Sequence, residues 1–82
     1  MSCSNDHPKR TEFDETVTAE LASLVVTVNG RDPGATITDL GNGQVRIQIA
    51  AGDIDCPDPG EDGEIRVSDK SGLVKCWNIT GC

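Results

Sequence analysis

Tyrosine is absent from this chain, and Phe13 and Trp77 are its only large aromatic side chains. Surfaces that read bases or sugars by stacking need several such rings, so neither a single-stranded nucleic-acid platform nor a carbohydrate platform has much to be built from. Basic residues are also scarce: seven Lys and Arg stand against fourteen Asp and Glu, for a formal charge of -7. That balance repels nucleic-acid phosphate and anionic membrane and suits a basic partner. Direct nucleic-acid binding is not expected.

Long apolar runs are missing too. No stretch approaches the roughly 18 apolar residues of a membrane-spanning helix, so no membrane insertion is expected. The opening MSCSNDHPKR carries charge without the apolar segment that follows it in a secretory signal. No nucleophile elbow, phosphate-binding glycine loop or HExxH helix occurs. A chain of 82 residues has little area for a catalytic cleft, and enzymatic activity is not expected. A Cys-His nucleophile would need His7, in a polar arm, to align with Cys56 or Cys76. No cofactor is implied.

What is present is a small, thin core. Hydrophobic residues make up 35 percent of the chain, below the roughly 45–50 percent of ordinary globular domains. At this length a fold benefits from a covalent staple, a metal or a partner. Cys3, Cys56, Cys76 and Cys82 can form two disulfides in three pairings. Pairing Cys56 with Cys76 and Cys3 with Cys82 would pin an acidic loop to a strand and tie the termini together. Oxidised cysteines would favour a secreted or extracytoplasmic location; otherwise the compartment is open. Cys3 and His7 could contribute to a zinc site, but no CxxC knuckle accompanies them and no metal site is assigned. Asn78-Ile79-Thr80 matches the N-glycosylation pattern, a short motif that recurs by chance.

Residues 1–14 read as a flexible polar arm that stays disordered until Phe13, or until a bridge from Cys3 holds it; residues 15–82 read as one β domain. In TVTAELASLVVTVN, apolar alternation shifts phase by one residue, as a bulge in one long strand would make it. The same residues also fit a short helix near 14–24, which gives an α+β alternative. The clearest hairpin is ATITDL-GNG-QVRIQI, with Val45, Ile47 and Ile49 on one face and Gln44, Arg46 and Gln48 on the other. EIRVSD-KSG-LVKCWNIT reads as a second, with Trp77 and Ile79 inward, Lys75 near an edge and Cys76 pointing away. Asn29-Gly30 and Pro33-Gly34 mark turns. The expected fold is all-β: a small five-stranded antiparallel sandwich or partly open barrel, disulfide-stapled.

The densest chemical feature is GDIDCPDPGEDGE, from position 52: six acids and no base in thirteen residues. Asp53, Asp55, Asp58, Glu61, Asp62 and Glu64 are the candidate interaction residues. Asp53 and Asp55 could start a calcium loop, but Pro57 and Asp58 occupy positions an EF-type loop gives to a ligand and to glycine. Two prolines restrict the backbone, so the carboxylates can be held outward for a protein partner with a basic surface. The leading expectation is therefore a small acidic protein-interaction module. Three alternatives stand beside it: a structural or accessory component of a larger assembly, an acidic nucleic-acid-mimic inhibitor, and a calcium-stabilised binding module. The composition is compatible with a homo-oligomer.

Overall fold

The computed structural model describes residues 3–56 and 63–81. Seven strands follow one another: β1 (Asn5–Pro8), β2 (Phe13–Thr18), β3 (Val25–Val28), β4 (Thr36–Gly41), β5 (Gln44–Ile49), β6 (Gly63–Asp69) and β7 (Gly72–Thr80). They form two packed sheets, ordered β1-β7-β6-β3 and β2-β5-β4. All pairings are antiparallel except β1 with β7, which is parallel. The all-β expectation holds, with the arrangement a sandwich rather than a closed barrel. The described residues hold seven strands where five were expected.

The extra strands arise where the local sequence pattern fits more than one structure. The phase shift in TVTAELASLVVTVN is neither a bulge nor a helix: β2 ends at Thr18, a single 3₁₀ turn covers Leu21–Ser23, and β3 begins at Val25 in the other sheet. A chain crossing between sheets must re-aim its apolar side chains, and the shift records that change. Side chains hold the crossing in place: Asp69 accepts the Glu20 N–H at 3.1 Å, and the Ser23 hydroxyl accepts the Lys70 N–H at 3.0 Å.

Both hairpins form, the first with the expected faces throughout. β4 and β5 meet through Asn42 and Gly43, whose φ values of 55° and 77° suit the tight turn that matches strand twist. Along β5, Val45, Ile47 and Ile49 are buried while Gln44 and Arg46 are exposed. In the second hairpin a register shift after Val67 pairs Ser68 with Leu73, leaving Val74 as the extra residue. Val74 packs against the core while Leu73 is exposed, so the regular alternation fails at that end. Trp77 and Ile79 point inward, as expected, and Lys75 lies exposed with its Nζ 5.5 Å from the Trp77 ring.

Phe13 joins the layers. It is fully buried, meets Trp77 of the opposite sheet edge-on at 4.7 Å, and meets His7 edge-on at 5.3 Å.

The N-terminal segment corrects the reading of a free arm. β1 runs beside β7 with Asn5 opposite Trp77 and His7 opposite Ile79, and Cys3 is bonded to Cys76 across a Cα separation of 5.4 Å. This is the ordering anticipated only for a bridged Cys3. The bridge also overturns both expected pairings, Cys76 with Cys56 and Cys3 with Cys82. Cys76 does point away from the core, and there it is bonded to Cys3 of the N-terminal segment. Cys56 is itself in a disulfide, and no described cysteine is free. His7, which the sequence places in a polar arm, is buried, and its Nε2–H donates to the Thr11 carbonyl at 2.9 Å.

Among the described residues, two carboxylates have folded-state pKa values lowered from the ordinary one. The bidentate hydrogen bond from Arg46 lowers that of Asp14, with Nε to Oδ1 at 2.9 Å and Nη2 to Oδ2 at 2.6 Å. Backbone N–H groups of Glu20 and Ser71 lower that of Asp69. A depressed folded pKa contributes stability that is present above the unfolded value, about 4, and is lost as pH falls through the folded one. Stability should therefore fall as the solution is acidified below about pH 4. The Asp69→Asn variant should show a shallower fall in denaturant midpoint; an identical pH profile would contradict the role of Asp69.

Candidate acidic interaction surface

The acidic segment leaves β5 through a 3₁₀ turn at Ala51–Asp53, closed by the Asp53 N–H on the Ala50 carbonyl at 2.9 Å. Ile54 follows, only 1% exposed, and anchors this limb in the core. Its apolar side chain goes in, so Asp53 and Asp55 on either side are left exposed. The returning limb begins β6 at Gly63, with Glu64 half-buried and its Oε1 3.2 Å from Arg66 Nε. Asp53, Asp55 and Glu64 thus lie at the base of the segment. Asp58, Glu61 and Asp62 lie outside the described residues, as do Pro57 and Pro59.

The two limbs are joined by a residue that the sequence marked only as a turn former. Asn29 Nδ2 donates to the Asp55 carbonyl at 2.6 Å, and its Oδ1 accepts the Glu64 N–H at 2.9 Å. The Asn29 backbone N–H donates to the Glu64 carbonyl at 2.8 Å. Asn29 can do this because it sits at φ 53°, followed by Gly30 at φ 79°, in a two-residue turn closed by Val28 and Arg31. The left-handed backbone turns its side chain toward the loop, and Asn tolerates that conformation better than most residues. No spacing rule could have linked position 29 to positions 55 and 64.

Asn29→Gly keeps the backbone geometry while deleting the clamp. It should lower stability by about 1–2 kcal/mol, the cost of lost hydrogen bonds at a partly buried site. It should also speed hydrogen exchange at the Glu64 amide, with the sandwich core unchanged. Unchanged exchange at Glu64 would remove the clamp from the account.

A further carboxylate joins this surface from the N-terminus. Asp6 pairs with Asn78, and Asn78 pairs with Glu64, so the three occupy one row on the outer face of the sheet. Two strand spacings separate Asp6 from Glu64, roughly 10 Å. Asn78 Nδ2 donates to Asp6 Oδ1 at 3.3 Å and to the Cys3 carbonyl at 2.7 Å, and Oδ1 accepts the Cys3 N–H at 3.2 Å. The residue in the glycosylation motif therefore holds the N-terminal strand in place. Asp6 could be found only by knowing that β1 pairs with β7.

Comparison with family models, curated proteins and solved structures finds no match. Function therefore rests on this geometry alone. Among the described residues no three of His, Cys, Asp and Glu are grouped to hold a metal ion. Cys3 and Cys76 are joined to each other, so neither offers a thiolate to zinc or to a Cys-His pair with His7. The polar strand face is a separate surface: Thr36, Gln48 and Asp14 form one cross-strand row, Thr38, Arg46 and Thr16 the next, and Gln44 pairs with Thr18. Its Arg46 charge is matched by Asp14 at 2.6 Å.

Proposed function

We propose that this domain acts by protein contact, presenting Asp53, Asp55, Glu64 and Asp6, together with the acids of the intervening loop, to a basic partner surface. The observation that carries the reading is the Asn29 clamp, which ties both limbs of the acidic segment to the sandwich while Asp53 and Asp55 stay exposed. A base held in place before binding loses less entropy on docking than a free loop. Unbalanced surface carboxylates raise the rate of encounter with a basic partner, and salt weakens that effect over about 8–10 Å.

The test uses a lysine-rich peptide as probe and compares two variants of equal net charge. Asp53→Lys/Asp55→Lys reverses the loop base, and Glu12→Lys/Asp39→Lys reverses exposed acids elsewhere. The loop variant should bind about tenfold more weakly than the control in low salt, a difference of about 1.4 kcal/mol, and should lose most of the salt dependence. Equal weakening in both variants would mean that net charge alone attracts the probe, and the site assignment would fail. Deleting residues 1–12 is a poor substitute, because it removes β1 and Cys3 and so tests folding before it tests contact.

A further inference from the structure

The sandwich has four sheet edges, and three are guarded. β2 points Glu15 along the inward row opposite Ile47, and β4 carries Asp39 on an inward row and a register shift at its end. β1 carries Asp6 and ends in Pro8. Charges, irregular registers and prolines all discourage strand addition. β3 and its approach, Leu24 to Val28, read LVVTV with no charge, no proline and no register shift.

The backbone of β3 is presented as well. Val28 exchanges both of its hydrogen bonds with Arg31, at 2.8 and 3.0 Å, on the side away from β6. Because the outward-facing groups of an antiparallel strand alternate, Val26 must also direct its N–H and C=O to that side. Among the described residues nothing pairs with them. Arg31 begins a further antiparallel pairing along this edge, but Asp32 and Pro33 lead the chain away, with Gly34 at φ 70° completing the departure. Beside the open backbone lies a groove of about 290 Å³ between β3 and β4, lined by Leu24, Val26, Ala35 and Ile37, with Asp32 at the end where Arg31 leaves off.

We propose that the β3 edge is a docking site for a short extended peptide segment from a basic partner, added antiparallel to β3 where the chain's own ladder stops. The guest residue opposite Val26 exchanges two backbone hydrogen bonds with it and turns its side chain into the groove. The guest residue opposite Leu24 does the same with its side chain, so the recognised pattern is apolar at alternate positions. A basic residue at the N-terminal end of the guest falls beside Asp32. A second copy of this chain fits poorly. Pairing β3 with its own copy about Val26 would set Leu24 of the copy opposite Val28, where Arg31 already sits, and each chain carries a charge of -7.

This site is independent of the acidic loop, and the two can fail separately. The test is a titration of the oxidised protein with the synthetic peptide Lys-Val-Thr-Val-Thr-amide, followed through backbone amide shifts and hydrogen exchange. Binding at about 0.1–1 mM is expected, with shifts confined to Leu24 through Thr27, Asp32, Ala35 and Ile37, and slowed exchange at Val26. Asp32→Lys should weaken it about tenfold, and Ala35→Arg, which fills the groove from a partly exposed position, should abolish it while leaving the remaining amide spectrum in place. Asp53→Lys/Asp55→Lys should leave it within about twofold. Shifts centred on Asp53, Asp55 and Glu64 would overturn the proposal, as would their absence up to the solubility limit. Concentration-dependent protection of Val26 without peptide would also overturn it, by showing that a second copy takes the edge.

Discussion

Replacing Cys3 and Cys76 together by Ser is expected to lower stability by about 4 kcal/mol and to move Tm down by roughly 15–30 °C. The bridge spans a sequence separation of 73 residues, so it removes much of the freedom of the unfolded chain. For a loop of that length the chain-entropy argument gives about 4 kcal/mol. Small domains often have only about 5–15 kcal/mol in total, so the doubly substituted chain sits near its folding limit. The loss has a local part as well. Without the bridge, β1 keeps its four-residue pairing with β7, the Asn78 contacts to Cys3 and Asp6, the Asn5 side-chain bond to the Cys76 carbonyl and the His7 contact with Phe13. Hydrogen exchange should therefore open first at Asn5 through Pro8, and Asp6 should leave the acidic row while Asp53 and Asp55 stay held by Asn29. The measurement is urea unfolding of both proteins with the remaining cysteines oxidised. A loss below about 1 kcal/mol would contradict the staple.

Phe13→Ala is expected to cost about 3–5 kcal/mol, the range for truncating a buried aromatic side chain. Phe13 has no exposed surface, and it touches Trp77 in the other sheet and His7 in the N-terminal strand. Few large side chains are present to close the cavity, because Phe13 and Trp77 are the only large aromatics in the chain. Trp77 reports the change directly: its fluorescence should shift to longer wavelength and its near-ultraviolet circular dichroism should fall. Phe13→Leu keeps most of the volume and should cost about 1 kcal/mol. Equal effects from the two substitutions would mean that Phe13 is not the joint between the layers.

The parts of the fold legible in the sequence are those in which every residue obeys the local rule. Gln44 through Ile49 alternate without exception, and Asn42-Gly43 supplies the backbone angles for the turn before them, so that hairpin could be read directly. Ile54, a lone apolar residue among acids, gave no periodic signal and yet anchors the loop. β1 was hidden because NDHP has neither alternation nor β-branched residues; it is held by Cys3, by Asn78 and by the parallel pairing with β7. The phase shift between Val17 and Val25 was visible, but its meaning was not, since a bulge, a helix and a change of sheet all displace apolar periodicity. Of the candidate surface, the acidic residues were plain from composition. Asn29 and Asp6 were not, because one acts through a contact spanning 26 and 35 residues and the other through a strand pairing.

The claim that binds fold to surface is that the N-terminal strand is stapled to β7, bringing Asp6 onto the row of Glu64. Its most direct test is a disulfide map of the non-reduced protein. Trypsin alone leaves Cys76 and Cys82 on one peptide after cleavage at Lys75, so chymotryptic cleavage after Trp77 is needed to separate them. The Cys3 peptide is expected joined to the fragment Cys76-Trp77, with Cys56 left to pair elsewhere. Recovery of Cys76 joined to Cys56 would contradict it, releasing β1 from the sheet and Asp6 from the acidic surface.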